Sequence, residues 1–442
     1  MTLQKSDHQK SDPIVIWIAA LFVVLGIFLR TVYVTDMEYK DDERMMVQAV
    51  QNYRTGQTGL ESIGFHSGVG LRHPSFSVQI FQIAGKAFNL DTPTAVCRFV
   101  MVSNAVALVL LFLFALFRVE SHWREAWLWG VGLLAVNPVA LQLHRKIWAP
   151  SLLPICCALL LWISWTRKPK TLTFVLAGVL LSLMSQIHLS GFFFTAAIGF
   201  AALIYYPNQV SKNIKGVLLF FFSFLAAFFF SRDWVFYLFQ NSQHEIYARP
   251  WKELFIPRTL FFWITEPFGF HIGSAVGSQS FFAANAKFFA YPQVGGISTY
   301  GVAVSYLVLL VLGLCFLGAL YRGFFTKKQL FSRFFDRPQD PSSFFLRSVP
   351  LSLAILYEMS VSRIVRHYLL IVTPLMQVSV AAMVLHFQRN RARSVLFLML
   401  FFQLILSASF LQFIHLNGGA TEGDYGVSYL VQLEKASTRE LK

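Results

Sequence analysis

Long runs of residues that are apolar on every helical face recur along the chain, separated by short polar stretches. The run LLFFFSFLAAFFF at 218–230 is typical. A surface helix of a soluble protein keeps one polar face, so such runs suit lipid or the interior of a helix bundle. In lipid every backbone polar group must be satisfied within the segment, which predicts helices. The pattern predicts about eleven spans: 14–34, 95–117, 126–143, 150–166, 172–188, 190–206, 217–238, 300–321, 344–360, 367–387 and 395–415. The pair 172–188 and 190–206 reads either as two spans or as one broken hairpin. Between spans, residues 44–55 and 75–90 interleave apolar and polar positions at helical spacing and suit the membrane interface.

Composition fits this pattern. Hydrophobic residues make up 56% of the 442 and charged residues 13%, against about 25% charged in soluble domains. Mean hydropathy is +0.56. The expected architecture is an all-α integral membrane protein. It divides into a cytoplasmic N-terminus (1–13), a polytopic domain (14–415) with outer loops 35–94 and 239–299, and a short extracytoplasmic tail (416–442). The first apolar run is longer than a signal-peptide core and has no small-residue cleavage site, so it reads as an uncleaved span. The cysteines Cys97, Cys156, Cys157 and Cys315 lack metal-ligand spacing and read as small buried residues.

The net charge is +15. The basic residues are dispersed between spans rather than gathered in one domain, which excludes a nucleic-acid reading and points to the positive-inside rule. With the N-terminus inside, the basic stretches at Arg118 and Arg124, 167–170, Lys212 and Lys215, 322–337 and 389–393 all fall on the cytoplasmic side.

Polar residues on the other side carry the candidate chemistry. The first outer loop opens with TDMEYKDDERMM, which places Asp36, Glu38, Asp41, Asp42 and Glu43 within eight positions. Such a cluster suits a general base or a divalent metal, although its spacing is not diagnostic of a metal. The bland reading is the acidic first turn of the helix that follows. GLRHPSF supplies Arg72 and His73. VNPVALQLHRKIWAPSLLP sets His144, Arg145 and Lys146 at a proline-flanked break, suited to an anionic ligand. MSQIHLSGF supplies His188. In SVSRIVRHYLL, Arg363 and Arg366 are three apart on one helix face with His367 beside them, a spacing suited to clamping a phosphate. Acids and cations on one face suit group transfer from a phosphorylated donor.

An acidic pair just past the first span, a short amphipathic helix, the basic-proline element RHPSF and the late RIVRHYLLIVTPL together resemble the GT-C superfamily of polyprenyl-phosphate-sugar glycosyltransferases. The nearest group is the protein O-mannosyltransferase and aminoarabinose-transferase type. The resemblance implies a GT-C-like bundle that moves a sugar, with inversion, from a polyprenyl-phosphate carrier to a glycan, lipid or protein acceptor. It implies a multi-pass protein of the bacterial inner (plasma) membrane acting on the extracytoplasmic face. Asp42 matches the family's catalytic acid, with Glu43 and Asp41 beside it. Arg363 and Arg366, with Arg145 and Lys146, match its phosphate-binding cations, and His73 stands at its basic position before proline. Arg72, His188 and His367 complete the expected substrate-binding set. No cofactor is required, and a divalent metal is compatible. The rival readings are a lipid-linked polysaccharide polymerase or ligase and a polytopic transporter or flippase. A transporter predicts ionisable groups at the bilayer midplane and two related halves, neither of which the sequence offers.

Overall fold

The computed structural model describes residues 12–67, 71–166, 169–241, 258–277, 281–322, 338–360, 364–387 and 390–440. Each of the eleven apolar spans coincides with helix. Five helical stretches are long and apolar enough to cross a membrane: α1 (Pro13–Thr31), α2 (Pro93–Phe117), the nearly continuous Ile214–Gln240, α3 (Gly301–Tyr321) and α4 (Ala392–Asn417). Shorter apolar helices include α5 (Leu153–Ser164), α6 (Thr171–Ile187), α7 (Ser190–Tyr205) and α8 (Thr373–Phe387). The chain is a multi-pass helical membrane protein.

The side chains show why both faces of a span are apolar. On α1, Val15, Ala19, Phe22 and Val23 are buried in the bundle. Ile14, Trp17, Leu21, Val24 and Phe28, spaced three or four apart, are exposed on the opposite face. One face packs on protein and the other is left for lipid. Cys97, Cys156 and Cys157 are buried as expected, but Cys315 is exposed on α3.

The span 126–143 is two helices, α9 (Ser121–Val136) and α10 (Pro138–Leu143). Proline starts α10 where its missing N–H costs nothing. The Asn137 side chain caps it by accepting from the Ala140 N–H at 2.9 Å. The segments 172–188 and 190–206 are separate helices packed on one another. Their turn is tight: a Cβ at Gly191 would meet the Met184 carbonyl oxygen at 2.3 Å.

The segments expected at the interface, 44–55 and 75–90, fall on helices α11 (Asp41–Arg54) and α12 (Phe76–Ala87), which pack against each other. The chain after α4 is folded. It forms a two-stranded antiparallel hairpin, Gly419–Ala420 with Gly426–Val427, and then helix α13 (Tyr429–Glu440).

Polar contacts define two ends of the bundle. At one, Arg393 bonds Asp12 at 2.7 Å and Glu125 at 2.7 Å. There also Arg118 donates to the Trp165 carbonyl, Tyr206 donates to the Pro338 carbonyl, and Asp340 meets His122 and Trp123. The ends of several basic loops therefore gather together. At the other end, Arg145 donates to carbonyls at the C-terminus of α1, and residues 36–38 just beyond it bond to the segment after α4. The two ends are about 28 Å apart, the length of a 19-residue helix.

Candidate active site

Asp41, Asp42 and Glu43 form the first turn of α11, where the helix dipole favours carboxylates. Successive helical residues point about 100° apart, so the three acids reach three environments. The Asp41 side chain is 92% exposed and pairs with Arg44 at 3.5 Å. Asp42 borders a cavity of about 250 Å³. Glu43 is fully buried, accepting from the Lys40 N–H at 2.9 Å and lying 3.3 Å from the Lys146 ammonium. Glu38 is also buried and lies 3.0 Å from Lys146. Burial pushes the Glu43 carboxyl above its ordinary range, against the pull of Lys146. Burial lowers the Lys146 ammonium, but its two carboxylates outweigh that and hold it above the ordinary lysine value. Asp36 faces away from the cavity, where its carboxylate meets His415 at 2.7 Å.

Four imidazoles line the cavity with Asp42, those of His66, His73, His188 and His367, and the last three stand close together. The His73 and His188 rings are 5.2 Å apart, and His188 and His367 are 5.3 Å apart. Trp148 packs on His367 at 4.4 Å, and Tyr368 packs on His188 at 4.7 Å. The Lys146 ammonium lies 4.6 Å from the Trp148 ring centre, behind the cavity wall. His188 follows α6, and its Nδ1 accepts from the Ser190 backbone N–H at 3.2 Å. That fixes the tautomer of the neutral ring, with the proton on Nε2. The Nδ1 atom of His73 is buried without a hydrogen-bond partner among the described residues, and burial pushes this imidazole down to about 4. At neutral pH His73 therefore offers a neutral ring rather than a cation. Arg72 sits at the rim, donating from Nε to Nε2 of His66, a cavity residue, at 3.3 Å.

The expected cations divide in the same way. Arg145 is buried, and it donates to the carbonyls of Leu29, Arg30, Val32 and Tyr33 at 2.7–3.1 Å. It caps the C-terminus of α1, where a cation satisfies orphan carbonyls. Its guanidinium is directed to these carbonyls, and Arg145 does not line the cavity. Lys146 is spent in the same sense, held between two buried carboxylates. Arg366, 30% exposed, donates to Ser274 Oγ at 2.7 Å and lies 3.6 Å from Asp424. It immediately precedes His367 of the cavity wall but does not itself line the cavity. Arg363 lies outside the described residues.

Sequence pattern did not single out Arg30. It is fully buried in α1 and donates to the carbonyls of Gly26, Ala135 and Leu134 and to His144 Nδ1. An arginine inside an apolar run was the available signal, since such a group needs a partner. Among the described residues no group of three or more His, Cys, Asp or Glu side chains is placed to hold a metal ion.

No protein-family model matches the sequence, and no curated protein sequence matches it. The structure is similar to the crystal structure of the Archaeoglobus fulgidus oligosaccharyltransferase in the apo form, with 12% identity and a TM-score of 0.46. It is also similar to the form of that enzyme tethered to an acceptor peptide containing the NVT sequon, with 13% identity and a TM-score of 0.42. Each similarity covers 90% of this chain, which spans a little over half of the archaeal one, 56% and 55%.

Proposed function

We propose that the chain is a membrane glycosyltransferase of GT-C type, moving a sugar from a polyprenyl-phosphate carrier to an extracytoplasmic acceptor, with Asp42 as general base. The observation that carries this reading is the division of the acidic run. Asp42 faces a cavity walled by imidazoles and aromatic rings, Asp41 faces solvent, and Glu43 is locked in an ion pair. The cavity lies at the end of the bundle away from the basic loops, so an inside N-terminus puts it outside.

In the proposed step, the Asp42 carboxylate takes the proton of an acceptor hydroxyl or amine. The acceptor atom bonds to the anomeric carbon as the bond from that carbon to the phosphate oxygen breaks. The electron pair leaves with polyprenyl phosphate, and attack from the opposite face inverts the centre. His188 Nε2–H is a donor for the phosphate oxygens, with Arg366, next in sequence to the cavity residue His367, as the nearest expected cation among the described residues. A volume of about 250 Å³ falls just below the usual range of ligand sites, roughly 300 to 1,000 Å³. It suits one sugar and its phosphate, with the prenyl chain left in lipid.

The test is transfer from labelled polyprenyl-phosphate sugars by the purified protein in lipid. Asp42→Asn is expected to lose on the order of 10²-fold or more in kcat. Asp41→Asn is the competing assignment, and a larger loss there would move the base. Absence of transfer by wild type from every donor would overturn the reading.

A further inference from the structure

We infer that the turn 423–428, in the segment after α4, is a positioning element that holds two walls of the cavity in register. On one side it grips the segment 36–40 that leads into α11. The Lys40 ammonium donates to the Asp424 carbonyl, and the Tyr425 hydroxyl donates to the Asp36 carbonyl. Ser428 pairs with Glu38 as an isolated antiparallel bridge, and the Tyr429 N–H donates to the Met37 carbonyl at 3.1 Å. Residues 36–40 run directly into the first turn of α11, which carries Asp42.

On its other side the turn grips residues 274–275 and Arg366. The N–H groups of Asp424 and Tyr425 donate to the carbonyls of Ser274 and Ala275, each at 3.0 Å. The Asp424 carboxylate lies 3.6 Å from the Arg366 guanidinium, which also holds Ser274. Arg366 is flanked by Val365 and His367, both in the cavity wall. The base wall and the histidine wall are thus both tied to one six-residue turn, whose own side chains do not border the cavity. Gly423 permits the close approach: a Cβ there would meet the Ala275 carbonyl oxygen at 2.3 Å. Tyr425 anchors the turn, buried with its ring 5.6 Å from Phe410 of α4.

The kinetic side of this inference rests on the proposed transfer reaction, and the structural side does not. The test compares full-length wild type with Gly423→Val by amide hydrogen exchange in lipid and by transfer kinetics. Exchange is expected to quicken about tenfold or more in both 37–54 and 364–372 while α2 is unchanged. The kcat is expected to fall about tenfold or more with the donor KM within about twofold, the split of a displaced catalytic geometry. Faster exchange confined to 418–440, or loosened walls with unchanged kcat, would overturn the inference. If Gly423→Val unfolds throughout, Asp424→Asn keeps the backbone bonds, removes the charge facing Arg366, and decides by whether 364–372 loosens. If wild type transfers from no donor, the transfer reading fails, and the exchange pattern alone decides whether the two walls are coupled.

Discussion

Lys146 has two carboxylates within 3.3 Å and an aromatic ring 4.6 Å away. Removing one partner of a buried ion pair typically costs about 3–5 kcal/mol, because the remaining charge is left uncompensated. Lys146→Met leaves the buried Glu43 without a cation while Glu38 keeps Lys40 at 3.0 Å, and a loss of that order is expected near neutral pH. The folded-state value of Glu43 already lies above its unfolded one, so the folded state keeps that proton to higher pH. Its contribution therefore falls as pH rises through that window. Without the ammonium the window widens upward, so Lys146→Met is expected to be less destabilising at pH 5 than at pH 8. Thermal unfolding in detergent at the two pH values reads this. The double variant Lys146→Met/Glu43→Gln is expected to recover much of the loss, and equal losses in single and double variants would sink the argument. In the wild type, Lys146 acts at the alkaline end: its stabilisation is complete below the unfolded lysine range, near 10.4, and is lost as pH rises through the higher folded value. The acidic cluster itself was legible in sequence. Its division was not, because which acid meets solvent, cavity or lysine depends on how α11 packs and on a lysine a hundred positions away.

At the scale of elements, Arg30 and Arg145 form a reciprocal brace. Arg30 projects from α1 onto the final carbonyls of α9, and Arg145, just past α10, caps the final carbonyls of α1. Arg145→Met leaves several buried carbonyls unsatisfied, at about 1–3 kcal/mol each where water cannot replace the donor. A clear fall in Tm is expected, with only partial recovery in Arg145→Lys, since one ammonium cannot reproduce a planar fork. An unchanged Tm with transfer abolished would instead return Arg145 to a ligand-binding role. The apolar helices and the two amphipathic helices of the first loop were legible as helices because hydrophobic periodicity is a local property of the chain. The break at Asn137 was less so, since both flanking helices are apolar and only Pro138 marks it. His188 and His367 were each visible as polar residues at a span end, and His73 as part of a basic-proline element in the first outer loop. Their convergence on one cavity is tertiary, set by how α12, α6 and the segment before α8 meet.

For the whole molecule, the contacts of Arg393 constrain topology more tightly than charge counting does. Arg393 follows α8, yet it bonds Asp12 before α1 and Glu125 at the start of α9. If these residues share one side of a bilayer, the number of crossings between Glu125 and Arg393 is even. That removes the ambiguity over the helix pair α6 and α7: they contribute two crossings or none, and the segments downstream keep their side either way. The proposed orientation puts this end in the cytoplasm and puts Asp41 and Glu422 outside. Single cysteines at Asp41, Glu422, Lys170 and Arg391, in a chain whose Cys315 is replaced by serine, test it with a membrane-impermeant thiol reagent on intact cells. Labelling is expected at Asp41→Cys and Glu422→Cys in intact cells, and at Lys170→Cys and Arg391→Cys only after permeabilisation. Cys315 has to be replaced because it is exposed, whereas the other three native thiols are buried. The reverse pattern would put the cavity in the cytoplasm and leave an extracytoplasmic acceptor without access to Asp42. Labelling of Lys170→Cys and Arg391→Cys from different sides would contradict the even crossing count, and with it the shared end that the Arg393 contacts describe.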